Sequence, residues 1–186
     1  MSPLARIAAL PTAALIASAA PAPTVIPHPE IRGEALIVPR DSPVRFRRFD
    51  KYGYAHFDGR FVLSGTFTYG CQVDCEGPVK EGDLQLNVVP DPALAARLPH
   101  WRVDTTDMMI SISRGSRFAK TIGTPRQRAS LLAGRTPDLR GRIAIVVDDF
   151  STGIECDSAG FRARFVSVAR APTLARVELN GDYGCV

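Results

Sequence analysis

The chain has 186 residues, 45% of them hydrophobic and 23% charged, with a formal net charge of +4. That length supports one domain with a buried core and is short for two, and the composition excludes a disordered or collagen-like polymer. Arginine carries the basic excess, since Lys51, Lys80 and Lys120 are the only lysines. The basic residues are scattered from Arg32 to Arg176, without the focused stripe that releases counterions from nucleic acid, so nucleic acid is excluded as a partner.

Residues 1–19 have the three parts of a signal peptide in order. Arg6 supplies a positive start, Ile7–Ile16 an apolar run interrupted by Pro11, and Ala17-Ser18-Ala19 a small-residue cleavage site. The run is about ten residues, half of the roughly twenty that a membrane-spanning helix needs. The expected product is periplasmic or extracellular, with no membrane attachment after cleavage. Residues 20–31 contain Pro21, Pro23, Pro27 and Pro29. Proline fixes φ and lacks a donor, so the segment reads as an extended tether outside the sheet. A single domain is expected over 32–186.

Period-2 alternation dominates from there. Ala35–Val38 reads as a short strand, and Val44 and Phe46 alternate with Arg45 and Arg47. Tyr54–Phe57 and Arg60–Gly70 flank Asp58-Gly59, a pair that favours a two-residue hairpin turn. Phe61, Leu63, Phe67 and Tyr69 fall on one face of the second arm. Leu84, Leu86 and Val88 form another alternating run, as do Met108, Ile110 and Ile112. Ile143–Val147 is nearly continuous. Phe161, Ala163 and Phe165 alternate with Arg162 and Arg164, and Val177 and Leu179 suggest a last strand. Thr124-Pro125-Arg126-Gln127 fits a capping box with proline at the first helical position, and Gly134 is placed to end that helix. Pro92–Leu98 suggests another turn or two. The expected fold is mostly β, an antiparallel β-sandwich or barrel of about eight strands with one or two short helices.

Cys71, Cys75, Cys156 and Cys185 make an even set, which in an exported protein implies disulfides. A hairpin turning near Arg170-Ala171 would place Cys156 opposite Cys185, leaving Cys71 to pair with Cys75. Four-thiolate zinc fits poorly, because structural sites favour a shorter spacing than Cys71 to Cys75.

Chemistry is sparse. Asp148, Asp149, Glu155 and Asp157 surround Phe150-Ser151-Thr152-Gly153, which reads as a polar loop. Hard cations use such carboxylates, but the spacing is not that of an EF-hand, and solvated turn carboxylates are the simpler reading. The same holds for Asp104, Thr105, Thr106 and Asp107. With His28 in the tether, only His56 and His100 remain, which rules out a three-histidine zinc site. No nucleophile elbow, phosphate loop or dinucleotide fingerprint is present, so no metal, cofactor or catalytic set is expected. Arg162, Arg164, Arg45 and Arg47 lie on strand faces that an anionic ligand or polysaccharide would suit, though a solvated outer face explains them as well. The reading is an exported, non-catalytic binding or structural module whose partner is an unidentified protein or small ligand. The alternatives are a small secreted hydrolase using His56 or His100 with nearby carboxylates, and an inhibitor presenting the Cys71–Cys75 loop.

Overall fold

The computed structural model describes residues 22–71, 77–102, 108–136, 138–155 and 158–174. It is built on strands: β1 (Thr24–Pro27), β2 (Ala35–Val38), β3 (Arg45–Phe49), β4 (Ala55–Asp58), β5 (Arg60–Cys71), β6 (Leu84–Pro90), β7 (His100–Trp101), β8 (Ile110–Ser113), β9 (Asp138–Glu155) and β10 (Ser158–Leu174). Short helices α1 (Pro92–Ala95), α2 (Gly115–Ala119) and α3 (Pro125–Leu132) lie between them.

The mostly β architecture expected from the alternation is what the chain adopts, and its main sheet closes on itself. β5 pairs with β6, β6 with β8, β8 with β10, β10 with β9, and β9 returns to β5. All of these pairings are antiparallel except β8 with β10. Alternation fills the ring. Phe61, Leu63, Phe67 and Tyr69 of β5 point inward with Leu86, Val88, Ile110, Ile112, Ile143, Ile145, Val147, Phe161, Ala163 and Phe165, all buried. Phe118 of α2 closes one end, edge-on to Phe67 at 6.1 Å and 5.6 Å from Phe165.

Close strand crossings use glycine. A Cβ on Gly65 would lie 2.0 Å from the Val89 carbonyl oxygen, and one on Gly141 2.0 Å from that of Thr173. Both are places where only a bare backbone fits at a tight bend.

A second layer covers the other end. β1, β2 and β7 form a small antiparallel sheet, and β3 and β4 extend the main one. Trp101 of β7 is fully buried, stacks on Phe49 at 6.2 Å and donates to Thr152 Oγ1 at 3.1 Å. Phe150 joins this layer to the barrel, touching Phe57, Phe61 and Phe161.

Four expectations change. Asp58-Gly59 is not a hairpin turn, because β4 and β5 do not pair with each other. Both lie along one edge of β9, with His56 facing Ser151 and Arg60 facing Asp148. Four steps on one strand thus match three on the other, which makes the pair a β-bulge, with Gly59 at φ +131°. A long partner strand outweighs local turn chemistry.

Residues 24–27 of the supposed tether form β1, paired with β2. Proline is tolerated there because β1 is an edge strand with few donors to supply. His28 fixes the segment: its Nδ1 accepts from the Glu30 and Ile31 amides, and its ring lies 5.1 Å from Trp101.

Arg170-Ala171 is no turn either, since β10 runs through it to Leu174 against β9, absorbing the strain in register shifts. The strand expected at Val177 and Leu179 lies outside the described residues, as do residues 1–19 and Asp104–Asp107.

The fourth change is α2, unexpected because Gly115-Ser116-Arg117 resembles a loop. α3 is as expected, with reciprocal Thr124–Gln127 bonds and a left-handed Gly134 closing its end.

Candidate functional site

The acidic residues singled out in the sequence do not form a loop. Asp148, Asp149 and Glu155 all lie within β9, and the Ser151-Thr152-Gly153 stretch between them is buried. Its small polar residues mark where the second layer packs on the barrel, a signal easily mistaken for a turn. Asp157 lies outside the described residues.

The carboxylates are met by arginines rather than by one another. Arg164 Nε donates to Asp148 Oδ1 at 2.8 Å, and Arg60 lies 3.6 Å from Oδ2. The Arg164 hydrogen bond, supported by both guanidinium charges, holds the Asp148 carboxyl below the usual carboxylate range. Asp149 is exposed, at φ 54°. Among the described residues no group of three or more His, Cys, Asp or Glu side chains converges as a metal site would require.

The two histidines of the hydrolase alternative make separate local contacts. His56 Nε2 is 3.0 Å from Asp50 Oδ2, and Asp50 also accepts from the Tyr52 and Tyr54 amides. The His56 bond is the main reason the Asp50 carboxyl is lowered. His100 Nδ1 lies 3.2 Å from the Leu98 carbonyl oxygen. Cys71 ends β5 and is half-buried, whereas Cys75, Cys156 and Cys185, and with them the expected pairings, lie outside the described residues. The hairpin register behind the Cys156–Cys185 pairing is not formed, because β10 has no turn at Arg170-Ala171.

The arrangement best suited to hold a ligand is one the sequence reading did not assemble. A groove of about 580 Å³ opens on the outer face of β6, β8 and β10. Gln85, Met109, Ser111, Ser113, Ser158 and Gly160 line it, with Arg162 and Glu155 in its wall. Register explains the polarity. Ser111 stands opposite Asn87 on one side and Arg162 on the other, and Arg162 faces Ser151, so these side chains share the outward phase of the alternation. Ser111 Oγ donates to Asn87 Oδ1 at 3.0 Å.

The wall is a small network. Arg162 Nη2 donates to Glu155 Oε1 at 2.6 Å, and the Tyr54 hydroxyl donates to the same oxygen. The Arg162 guanidinium also lies over the Tyr54 ring, 5.1 Å from its centroid. Burial, with the Glu155 hydrogen bond next, raises the Tyr54 phenol above its ordinary value. Tyr54 reaches this position because Gly153 leaves room: a Cβ there would come within 2.7 Å of the ring.

Three of the four outward arginines noted in the sequence are paired: Arg162 with Glu155, Arg164 with Asp148 and Arg47 with Asp58, while Arg45 of β3 is exposed. No helix among the described residues is long and apolar enough to cross a membrane. Comparison with protein-family models, with curated proteins and with solved structures gives no match for this chain.

Proposed function

We propose that this protein is a non-catalytic binding module whose ligand sits in the groove on β6, β8 and β10. The observation that carries the reading is the groove itself, a volume of about 580 Å³ with convergent hydroxyl, amide and paired charged groups. Small-molecule sites have that size and that sparse, placed polarity. Every strand beneath it is hydrogen-bonded to two ring neighbours, which makes a rigid platform. Ring order adds support by analogy. The connectivity β5–β6–β8–β10–β9 is that of OB-type Greek-key barrels, which present ligands on the face of their second and third strands. Here those are β6 and β8.

A hydrolase is the second reading. It is favoured by the 3.0 Å His56–Asp50 contact and by Ser151 standing opposite His56 in the ladder. Against it, neither histidine lines the groove.

We also propose export, on the three-part pattern of residues 1–19, and disulfide bonding, on the even cysteine count. Intact mass before and after reduction, with thiol alkylation, tests both. Four alkylatable thiols without reduction would remove the disulfide proposal, and a retained leader would remove export.

For the groove, the test is a soluble fragment library screened by backbone amide chemical shifts. Shifts clustering on Gln85, Ser111, Ser113 and Ser158–Arg162, and lost in Ser158→Trp, support the binding reading. Shifts confined to Asp50 and His56, or ester hydrolysis abolished by His56→Ala, would replace it with the hydrolase.

A further inference from the structure

Resting on the groove as the binding site, we infer that its ligand class is a neutral, polyhydroxylated molecule, a short saccharide. The lining decides this by charge, by donor and acceptor balance and by strand geometry.

Charge comes first. Among the described residues the groove lining holds one cation and one anion, and they are bonded to each other at 2.6 Å, so their charges offset each other. The guanidinium two residues away, Arg164, is committed to Asp148 at 2.8 Å. A phosphate or carboxylate would have to take Arg162 from Glu155, and a cation would have to take Glu155 from both Arg162 and Tyr54. Both exchanges forfeit charge-assisted bonds already made. Nucleic acid would further need aromatic platforms for base stacking, and among the described residues no aromatic side chain but Phe161, which is buried in the barrel, belongs to the lining.

Strand geometry disfavours a peptide added as an extra strand. β10 pairs with β8 only over Phe161–Arg164, so the overhang at the groove, before that pairing, is Ser158–Gly160. Three residues are a short template for main-chain pairing. The Ser111, Ser113 and Ser158 hydroxyls already donate to Asn87 Oδ1, the Ala163 carbonyl oxygen and the Glu155 carbonyl oxygen, so a purely apolar ligand would leave their acceptor lone pairs and the Gln85 amide facing hydrocarbon.

Saccharide hydroxyls fit what remains. Each donates and accepts, so it can donate to the lone pairs left on the serine hydroxyls and pair with either end of the Gln85 amide. Glu155 supplies further acceptor positions and Arg162 further donors, and both are reachable, at 45% and 59% side-chain exposure. Met109, half-exposed at the mouth, offers a polarizable apolar surface to the C–H face of a sugar ring.

The test uses the full mature chain, labelled with ¹⁵N and titrated with maltotriose, cellotriose and triacetylchitotriose. Inorganic phosphate and oligo-dT serve as charged comparators. At least one saccharide is expected to shift the amides of Ser111, Ser113 and Ser158–Arg162. Its affinity should fall about tenfold or more in Arg162→Gln, the loss expected for charge-assisted bonds. Ser158→Trp, a substitution at an exposed position that fills the mouth, should abolish binding. Charged probes shifting these amides while saccharides do not would overturn the ligand class and leave the groove standing. Saccharide binding unchanged in Ser158→Trp, or no probe of either kind moving these amides, would overturn the groove as well.

Discussion

Replacing Gly153 with alanine tests the link between the second layer and the groove. The new Cβ would lie 2.7, 2.8 and 2.9 Å from three carbons of the Tyr54 ring. Carbon pairs settle at about 3.5–4.0 Å, so the ring must retreat by about 0.8 Å or more. Tyr54 is half-buried and can swing outward, which costs less than the 1–3 kcal/mol typical of a locked core. The loss is then the Glu155 hydrogen bond, about 1 kcal/mol, and the Arg162 cation–π contact, about 0.5–1 kcal/mol. A destabilisation of about 1.5–2 kcal/mol is expected, lowering Tm by roughly 3–8 °C for a domain of this size.

Urea unfolding measures the free energy, and ring ¹³C shifts against pH follow the phenol. The Tyr54 phenol, raised in the native protein by burial and by Glu155, should fall back toward about 10. The decisive comparison repeats the substitution in a Tyr54→Ala background. With no ring to meet, alanine should be neutral or stabilising by about 0.4–1 kcal/mol, because it narrows the unfolded ensemble. An equal penalty in both backgrounds would refute the reasoning.

Asp148→Asn should cost about 1–3 kcal/mol at neutral pH, since Arg164 and Arg60 lose their carboxylate. The native carboxyl titrates below its unfolded value, so this stabilisation is present above about pH 4 and disappears as pH falls through the folded value. Urea midpoints of the two proteins should therefore converge in acid, and a gap that persists there would argue against the ion pairs. Tyr69 is buried, its phenol pushed up to about 12 chiefly by that burial, and its hydroxyl finds no hydrogen-bond partner among the described residues. Tyr69→Phe should raise stability by about 1 kcal/mol, and a loss would reveal a partner for the hydroxyl. Gly65→Ala drives a Cβ into backbone at 2.0 Å and should cost about 3 kcal/mol or more, read by urea denaturation. A change under about 1 kcal/mol would mean that β5 and β6 can separate there.

The periodic parts of the fold were legible. Phe61, Leu63, Phe67 and Tyr69 announce a buried strand face, and Thr124 with Gln127 announces a helix start, because both signals are local. What misled was local chemistry overruled at long range. Asp58-Gly59 has the residues of a turn, yet β9 offers both flanking strands a common edge. Arg170-Ala171-Pro172 looks like a break, yet β9 extends far enough to carry β10 through it. Ser151-Thr152-Gly153 looks like a loop, but small residues there let Trp101 and Tyr54 pack closely.

The groove was visible only in fragments. Arg162 and Glu155 had each been noted, one as a basic face and the other as an acidic loop. Their union, across seven residues of sequence, depends on the registers Ser158↔Glu155 and Arg162↔Ser151. Gln85, Ser111 and Ser113 carried no signal beyond being the polar half of an alternation, since only the parallel β8–β10 pairing brings three strands to one face.

Ring closure also dictates when this protein can fold as it is made. Arg60 waits for Asp148, and Ile110 for Phe161, so β5, β6 and β8, which pair in that order, lack the two strands that close the ring until the last third of the polypeptide exists. Such distant contacts slow acquisition of structure, because chain entropy must be spent before the closing ladders form. Until then the ring stays open, and the inward faces of β5 and β6 are exposed to helpers that shield apolar strands.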